Sequence, residues 1–483
     1  MKKLQALKRK KELAFVSQLQ KKFKTAEVFL VGGIVRDTLL NKESKDYDFV
    51  VRNVPTNKLL AFLKTKGWVD IVGKKFGVLK FTPKGVKQQI DIALPRTEHA
   101  FKTGGYRDFD VQSDYKLPIE EDLSRRDFTI NALAYDWQKN EIIDLYKGLD
   151  DLKKKRIKTV GQAEDRFKED YSRMLRAMRF SCQLDFSIET KTWSAIKKLS
   201  PKINNMIKGE YVVPRETIAK EMVKAFLHDP AKAFDLYDKS GLTKELMPEL
   251  LQMKGCPQPR NFHSEGDVWK HTHMCLGNLT DKKFQRKFNN APLTGELVMA
   301  MLFHDLGKPY TIEKKDRLRF NNHDTRSGEL AKEILNRLKI SNADVDIDQV
   351  VWLCRKHMIA SHTKKSPMKN TTLEKYFFSE LNPGFDLLRL TYADVMATIP
   401  AKTKKPDFKE YFALEKQIKA LEKITAKKKK LPKVILNGHE IMKTLNLDPG
   451  PKIGKLMNIL REEQLKGKVK TKKQAAELLK KHV

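Results

Sequence analysis

Two aspartates, Asp46 and Asp48, are spaced to hold a metal ion together. The apolar residues after them predict a strand, and side chains two apart on a strand share a face. Asp46 and Asp48 would therefore project together, while Tyr47 and Phe49 point the other way. Adjacent carboxylates repel each other unless a cation lies between them. Such hard oxygen ligands suit Mg²⁺, which often takes its remaining ligands from water and substrate phosphates.

A glycine pair precedes the aspartates. The apolar run Val28–Val31 meets Gly32 and Gly33, and the short helix predicted over 34–40 carries Arg36. Glycine lets the backbone approach a ligand closely, and a helix N-terminus favours an anion. Phosphate on one side and metal on the other is an arrangement for nucleotidyl transfer. The alternative is a solvated Asp-x-Asp on a surface hairpin, which the glycine segment disfavours.

A third carboxylate, Asp91, falls in a strand predicted over 88–94. It would complete the metal cluster if that strand neighbours the aspartate pair, whereas the alternative is an edge-strand aspartate facing water. Two further short strands are predicted around Gly73 within 70–81. The segment 98–120 is polar, contains glycine and lacks periodicity, so we predict a flexible loop.

The segment 122–136, DLSRRDFTINALAYD, places charged residues at the start of a predicted helix that Ser124 would cap. One interpretation is a salt-bridge cluster on the surface. The other directs Arg126 to a triphosphate and Asp127 to a ribose hydroxyl.

A helix predicted over 169–180 places Asp170, Arg173 and Arg176 three residues apart on one face. A carboxylate and a guanidinium in fixed positions offer acceptors and donors that mimic a base-pairing edge. The pair is therefore either a reader of nucleobases or an ordinary salt bridge between helical neighbours.

Most of the 11 histidines fall between His263 and His362. His304 and Asp305 are predicted at the end of an apolar helix, with His271 and Asp394 on other helices. Imidazole and carboxylate ligands together suit a borderline transition metal or Mg²⁺. We therefore predict a second metal site, although a single histidine is usually a structural residue.

The composition of the 483-residue chain indicates its partners. Lys and Arg exceed Asp and Glu by 35 charges, which favours a phosphate polymer as partner and, second, a membrane surface. No apolar run is long enough to span a bilayer, and the basic N-terminus, predicted to be one amphipathic helix, lacks a signal-peptide core. Four scattered cysteines without a C-x-x-C spacing predict reduced thiols in a cytoplasm and argue against a zinc–thiolate site.

The last part of the chain is rich in lysine. Lys427–Lys430 is either a solvated charge run or a phosphate-binding patch. Gly450 precedes a predicted helix start that can grip a backbone phosphate, and another amphipathic helix is predicted from about Thr471.

Several segments together resemble the class II branch of the nucleotidyltransferase superfamily, which holds CCA-adding tRNA nucleotidyltransferases and bacterial poly(A) polymerases. The segments are VGGIVRDTLL with DYDFVV, LSRRDFTINALAYD, IIDLYKGLDDL and EDYSRMLRAMRF, within about 25–250. The resemblance implies that Asp46 and Asp48 hold two metal ions. It also implies that Gly33, Arg36 and Arg126 contact the nucleotide phosphates and that Asp127 contacts the ribose. Asp170 and Arg173 would pair with the base, C or A. Arg176 and Arg179 would support the incoming nucleotide. A catalytic role for Asp91 is carried over less firmly.

The segments HSEGDVWKH, FHDLGK and TYADV resemble an HD phosphohydrolase domain. The resemblance makes His271, His304, Asp305 and Asp394 metal ligands, with His323 and His357 as accessory residues. NLDPGPKIGKLM resembles the tRNA-binding tail of long CCA-adding enzymes. Two departures are Arg215-Glu216-Thr217 in the neck, where Glu-Arg is usual, and Ile71–Leu79, which partly resembles a poly(A) polymerase stretch.

We therefore predict an α+β head with a mixed sheet, followed by an all-α neck, body, HD domain and tail. The predicted boundaries are 1–150 for the catalytic head, 151–255 for the neck and body, 256–400 for the HD domain and 401–483 for the tail. The predicted activity is cytoplasmic addition of C, C and A to the acceptor arm of tRNA from CTP and ATP with Mg²⁺, with a second phosphohydrolase activity in the HD domain. The alternative is a poly(A) polymerase.

Overall fold

The computed structural model describes residues 2–72, 78–100, 104–105, 109–314, 317–364, 367–426 and 432–483. Gly73 and Lys427–Lys430 lie outside the described residues, as does the side chain of His362. The chain divides into two compact units, Met1–Leu246 and Met247–Val483. The division into four domains stays a prediction. None of the described helices is long and apolar enough to cross a membrane.

The described strands of the first unit are β1 (Glu27–Val31), β2 (Tyr47–Arg52), β3 (Gly67–Val72), β4 (Val78–Pro83), β5 (Ile90–Ala93), β6 (Arg96–Ala100), β7 (Phe109–Ser113), β8 (Ala134–Asp136), β9 (Glu141–Ile143), β10 (Arg156–Ile157), β11 (Ser187–Ile188), β12 (Met206–Ile207) and β13 (Glu210–Tyr211). Seven of them form a mixed sheet with the order β3-β4-β5-β2-β1-β8-β9. Strands β6 and β7 form a separate hairpin, and β10–β11 and β12–β13 are small pairs.

Helices accompany the sheet, and after β9 the first unit is mainly helical. They are α1 (Lys2–Leu7), α2 (Ala14–Lys22), α3 (Gly33–Leu39), α4 (Thr56–Lys66), α5 (Ile119–Ser124), α6 (Gly148–Lys153), α7 (Ala163–Glu169), α8 (Ser172–Leu184), α9 (Thr190–Leu199), α10 (Arg215–His228), α11 (Pro230–Ser240) and α12 (Leu242–Leu246). The basic N-terminus therefore forms two helices, with a 3₁₀ turn between them, rather than the single predicted helix.

Alternation along β2 fixes the direction of the aspartates. Tyr47 and Phe49 are buried, and the Phe49 ring packs edge-on against Phe15 of α2. Asp48 lies on the opposite face, where Val50 packs with residues of β1, β8 and α5. This arrangement confirms the alternation predicted from the sequence, and it leaves Asp48 at the end of the face where α5 does not cover the sheet.

The second unit is mainly helical. Its helices are α13 (Val268–Asn278), α14 (Lys282–Lys287), α15 (Gly295–Phe303), α16 (Lys308–Thr311), α17 (His323–Arg337), α18 (Ile347–Lys356), α19 (Asn370–Phe377), α20 (Gly384–Ala397), α21 (Lys409–Ala426), α22 (Gly438–Leu445), α23 (Pro451–Leu465) and α24 (Lys472–Lys480), with the hairpin β14 (Ile312–Lys314) and β15 (Leu318–Phe320).

Helix α15 is the core of this unit because its residues from Leu297 to Phe303 are all buried. It packs against α13, α17, α18 and α20. The last three helices have a core of their own, in which Ile441, Leu456 and Leu479 are buried. Gly450 immediately precedes α23 and Thr471 caps α24, as predicted.

Two predictions for the first unit were wrong. The segment 98–120 contains strand residues of the β6–β7 hairpin and the start of α5 instead of a continuous loop. Ser124 ends α5 instead of capping a new helix, and its hydroxyl donates to the carbonyl of Glu121 at 2.8 Å.

The predicted helix over 169–180 was also wrong at its start. Helix α7 ends at Glu169, and α8 begins at Ser172. Asp170 between them has an extended backbone (φ −154°) and accepts a 2.8 Å hydrogen bond from the Ser172 N–H. A short polar side chain that satisfies the backbone in this way competes with the helix. Asp170 therefore lies in a break, while Arg173 and Arg176 are helical.

Candidate active sites

The aspartate pair lies at the exposed end of β2. Asp46 immediately precedes the strand and is exposed, whereas Asp48 within it is partly buried. Burial raises the pKa of Asp48 to about 6; the charge of Arg126 opposes this rise, while Asp91 and Asp46 add to it. A carboxylate that ionises with difficulty among other carboxylates gains most from a nearby divalent cation. The donor set therefore fits Mg²⁺.

Asp91 is the direct neighbour of Asp48, since β2 and β5 run parallel with these two residues in register. This confirms the predicted adjacency of the strands. Asp91 Oδ1 also lies 3.3 Å from Lys80 Nζ on β4. The lysine competes with a metal ion for the same oxygen, so a catalytic role for Asp91 stays a prediction.

Gly32 separates Asp48 from Arg126. Its φ of +74° suits glycine, and a Cβ there would lie 2.7 Å from Arg126 Nη1 and 3.8 Å from Asp48 Oδ2. Asp122, a fully buried residue that the sequence analysis missed, holds Arg126 Nη2 at 2.9 Å and Arg125 Nη2 at 2.6 Å. A guanidinium is thereby fixed beside the carboxylates, in a position to meet a phosphate.

Asp127 is buried and accepts four hydrogen bonds. Its Oδ1 accepts from the Phe128 N–H at 2.8 Å and from Asn131 Nδ2 at 3.0 Å. Its Oδ2 accepts from Arg176 Nε at 2.8 Å and Nη2 at 2.7 Å. Burial would raise the pKa of Asp127, but Arg176 and Asn131 hold it at about 2. Asp127 is therefore ionised and joins the segment after α5 to α8.

Arg36 is also buried, although it was predicted to meet phosphates. Its Nε and Nη2 donate to the Asp37 carboxylate at 2.8 and 2.9 Å, and its Nη1 donates to Asn131 Oδ1 at 2.6 Å. A Cβ at the neighbouring Gly33 would lie 3.6 Å from Arg36 Nη2, which is an ordinary van der Waals distance. The guanidinium is fixed by the protein, and phosphate contact stays a prediction.

The predicted base-reading pair is held differently from a helical salt bridge. Arg173 Nη1 pairs with Glu169 Oε2 at 2.6 Å, and its Nη2 donates to the Arg125 carbonyl at 3.3 Å. Burial raises the pKa of Asp170, which the Ser172 hydrogen bond and Arg173 partly oppose. Each side chain therefore has a partner of its own, which is the Ser172 N–H for Asp170 and the Glu169 carboxylate for Arg173.

Three arginines surround the ring of Phe180. The guanidinium carbons of Arg36, Arg176 and Arg179 lie 5.0, 5.4 and 4.0 Å from its centroid. Glu221 of α10 pairs with Arg179 Nε at 2.6 Å. Sequence analysis missed both Phe180 and Glu221. The Arg-x-x-Arg-Phe spacing on α8 was an available signal for Phe180, whereas nothing local points to Glu221.

The second unit brings the predicted HD residues together. His304 and Asp305 follow α15, His271 is on α13 and Asp394 is on α20. Asp305 Oδ2 lies 3.4 Å from His304 Nε2 and 3.7 Å from His271 Nε2, and His271 Nε2 lies 2.9 Å from Asp394 Oδ1. These four residues form one cluster, as the resemblance implies.

The accessory histidines lie on the other side of Asp305. Asp305 Oδ1 is 3.5 Å from His323 Nε2 and 3.6 Å from His357 Nε2, and the two Nε2 atoms are 3.3 Å apart. The two oxygens of Asp305 thus face two separate pairs of imidazoles.

Backbone carbonyls fix the tautomers of three of these histidines. The Nδ1 of His304 donates to Met301, that of His323 to Phe320 and that of His357 to Cys354. Because a carbonyl only accepts, each Nδ1 carries a proton, and a neutral ring then directs an Nε2 lone pair at Asp305.

His304 Nε2 is buried without a hydrogen-bond partner. Burial would lower the pKa of His304, but the charge of Asp305 and the contact with Cys275 raise it to about 9. Burial, His323 and His304 lower the pKa of His357 to about 4, so this ring is neutral at neutral pH. Imidazole nitrogens that converge on carboxylates in this way fit a divalent metal site.

Outer residues orient this cluster. Glu265 Oε1 lies 2.9 Å from His271 Nδ1 and 2.6 Å from His263 Nδ1, and its Oε2 accepts from the Ile399 N–H. Lys308 Nζ lies 2.7 Å from Asp305 Oδ2. A carboxylate behind a metal-binding histidine is a usual outer-shell partner. The spacing His-x-Glu before His271 was a signal for Glu265 that sequence analysis left unused.

Three family models match the chain. The Poly A polymerase head domain matches residues 28–158, the probable RNA- and SrmB-binding site of polymerase A matches 185–253, and the HD domain matches 283–396. His271 lies before the matched HD region, but the geometry places it in the cluster.

The multifunctional CCA protein of Stenotrophomonas maltophilia is 34% identical over 340 residues, which cover 69% of this chain and 76% of that protein. This chain belongs to the family of CCA-adding tRNA nucleotidyltransferases. Another relative, the A-adding tRNA nucleotidyltransferase of Deinococcus radiodurans, is 28% identical over 452 residues, 92% of this chain and 93% of that protein. Both names favour the predicted CCA-adding family over the poly(A) alternative.

The fold of the CCA-adding family extends over most of the chain. The structure of the Bacillus stearothermophilus CCA-adding enzyme in complex with CTP matches with a TM-score of 0.63 and 21% identity, covering 97% of this chain and 96% of that one. The predicted fold, an α+β head followed by helices, is confirmed. The individual site residues stay predictions that the geometry above supports.

We expect Asp48→Asn to lower nucleotide incorporation on the order of a thousandfold, since a bound cation supplies several kcal/mol of charge stabilisation and about 1.4 kcal/mol is a factor of ten. Asp70→Asn is the matched control, because Asp70 is exposed on the edge strand β3 of the same sheet. Single-turnover incorporation into tRNA is the measurement. Equal rates for Asp48→Asn and Asp70→Asn would remove Asp48 from the site.

We expect Asp127→Asn to lower stability in a pH-dependent way. The pKa of Asp127 is about 2 in the folded chain, against about 3.9 when unfolded, which corresponds to roughly 2 to 3 kcal/mol. Because the folded pKa is depressed, this contribution is complete above about pH 5 and is lost as the pH falls through 3.9 towards 2. Urea midpoints at pH 6, 4 and 3 measure it.

The wild-type advantage over Asp127→Asn should therefore shrink between pH 6 and pH 3. Asp165→Asn, which removes an exposed carboxylate on α7, is the control. An advantage that is constant over this range would contradict a buried, ionised Asp127.

Proposed function

We propose that this chain adds C, C and A to the 3′ end of tRNA, using CTP and ATP and releasing pyrophosphate. The observation that carries the proposal is the placement of Asp48 and Arg126 on either side of Gly32. A carboxylate pair for cations and a guanidinium for phosphates then face the same space. Family membership supports tRNA as the acceptor.

Asp46 and Asp48 would hold Mg²⁺ in this proposal. When bound, Mg²⁺ supplies the charge that favours ionisation of the attacking 3′-hydroxyl and offsets the charge on the leaving pyrophosphate. Gly32 and Gly33 let the backbone approach the triphosphate, and Arg126 pairs with it. Asp122 keeps Arg126 oriented before the nucleotide arrives, since both of its oxygens are used by arginines. Asp91 would join the ligands only by releasing Lys80.

The remaining nucleotide contacts are proposed for the three arginines around Phe180. Arg36 on α3 and Arg176 and Arg179 on α8 all pack around the Phe180 ring, so they form one positively charged surface. Asp127 positions Arg176 within this surface. Asp127 would contact a ribose only by giving up one of its contacts with Phe128, Asn131 or Arg176. These residues orient the triphosphate without rearranging, which lowers the entropy lost on binding.

Asp170 and Arg173 would select C or A by hydrogen bonds to the base edge. Their separate anchors support this role, because Ser172 holds one Asp170 oxygen and Glu169 holds Arg173 Nη1. One carboxylate oxygen remains to accept from a base amino group, and Arg173 Nη2 retains a contact that a base acceptor can replace.

The acceptor arm would bind mainly through charge and shape. The net charge of +35 supports a phosphate polymer, and the lysine-rich tail supplies part of it. We place the reaction in the cytoplasm, a proposal that the four free, buried cysteines support.

A second activity, metal-dependent hydrolysis of a phosphoester such as a 2′,3′-cyclic end, is proposed for the HD cluster. His271, His304, Asp305 and Asp394 would hold a transition metal or Mg²⁺, with His323 and His357 on the other oxygen of Asp305. The observation that favours it is the convergence of four histidine Nε2 atoms on this carboxylate, at 3.4 to 3.7 Å. When bound, the ion supplies Lewis acidity towards the ester, and Lys308 stands beside Asp305 to offset phosphate charge.

Nucleotide incorporation on tRNA transcripts ending before, within and after CCA tests the transferase. We expect two C and one A on the shortest transcript, one A on the transcript ending in CC, and no addition to the completed end. Asp48→Asn controls for contaminating activity.

Two results would overturn this assignment. Addition of A only to the transcript ending in CC would make the chain an A-adding enzyme. Unlimited incorporation of A without C would make it a poly(A) polymerase.

We expect His304→Ala to lower the rate of metal-dependent hydrolysis of a 2′,3′-cyclic nucleotide by more than about a hundredfold. Loss of an outer-shell partner alone costs roughly ten- to a hundredfold, and His304 is proposed as a direct ligand. His439→Ala, which removes an exposed histidine on α22, is the matched control. Nucleotide incorporation should be retained in both variants. Hydrolysis that survives in His304→Ala, or that disappears in Asp48→Asn, would contradict a separate HD site.

A further inference from the structure

Cys275 lies inside the HD cluster, although the spacing of the cysteines argued against a thiolate site. It follows His271 by four residues on α13, so both side chains share one face of the helix. Its side chain is fully buried. Cys275 Sγ lies 3.4 Å from His271 Nε2 and 4.0 Å from Asp394 Oδ1.

The thiol belongs to a set of four donors. One ligand atom each from His271, Cys275, His304 and Asp394 lies within 4.8 Å of the other three. The 3.4 Å between sulfur and nitrogen is close to the separation of about 3.5 Å that zinc–sulfur and zinc–nitrogen bonds give in a tetrahedron. His304 Nε2, buried and without a hydrogen-bond partner, is the independent sign that this set awaits a ligand.

We infer that Cys275 binds the HD metal ion as a thiolate and makes the site selective for a thiophilic borderline metal such as zinc or cobalt over Mg²⁺. Soft thiolate and imidazole ligands together favour such ions. The inference rests on the HD metal site proposed above and adds a ligand and a class of metal to it. Binding releases the Cys275 thiol proton to solvent and involves no oxidation.

Cobalt substitution of the full-length protein tests this inference. After removal of metal with a chelator, Co²⁺ is added to wild type, Cys275→Ser and Cys182→Ala. We expect the wild type to show visible bands typical of four-coordinate cobalt and a near-ultraviolet thiolate-to-cobalt charge-transfer band. Cys182→Ala, which removes a buried thiol from the other unit, should match the wild type.

Cys275→Ser should lose the charge-transfer band and bind cobalt about ten- to a hundredfold more weakly. Its nucleotide incorporation and far-ultraviolet circular dichroism should equal those of the wild type, which checks that it folds. Dialysis of wild type against equal zinc and magnesium should leave one bound zinc.

The outcomes separate this inference from the function on which it rests. Cobalt bound by the wild type without the charge-transfer band overturns the thiolate ligand alone, and it leaves the HD metal site standing. A wild type that binds neither cobalt nor zinc overturns both. The wild-type spectrum decides the question even if Cys275→Ser fails to fold.

Discussion

Crowding negative charge costs free energy, because each carboxylate loses water and repels its neighbours until a cation is placed among them. Asp48 shows this cost, since burial and then the charges of Asp91 and Asp46 raise its pKa to about 6. The parallel register of β2 and β5 enforces this crowding, so the first unit spends folding energy to preorganise a place for a cation. In the second unit, the end of α15 places Asp305 between two pairs of imidazoles. There burial would raise the pKa of Asp305, but Lys308 and the rings lower it well below its usual value.

The cationic side of the transferase site is organised by the opposite rule, in which each arginine is paired with a carboxylate that is more buried than itself. Arg126 is held by Asp122, Arg176 by Asp127 and Arg179 by Glu221. Breaking such a pair by removing one partner is expensive, because the other charge is then left buried. These pairs fix the guanidiniums in advance, so a triphosphate meets a rigid surface.

Local patterns predicted much of this. Alternation placed Asp48 opposite Phe49, the apolar run before His304 predicted the end of α15, and the glycine pair predicted the turn before α3. What escaped prediction depends on residues distant in sequence or on a single local hydrogen bond. Lys80 on β4 contacts Asp91 from the adjacent strand, Glu221 contacts Arg179 from another helix, and the Ser172 N–H holds Asp170 out of α8. Cys275 was passed over because helical spacing, rather than C-x-x-C, brings it to the metal ligands.

We propose above all that the carboxylates at the start of β2 hold the metal that serves nucleotide transfer. Anomalous diffraction from a crystal of the full-length protein with Mn²⁺ and a non-reactive CTP analogue tests this directly. We expect anomalous density between the carboxylates of Asp46 and Asp48, with the triphosphate in contact with Arg126. Nucleotide bound with its triphosphate away from Arg126, or manganese density absent from the two aspartates while nucleotide is bound, would contradict it.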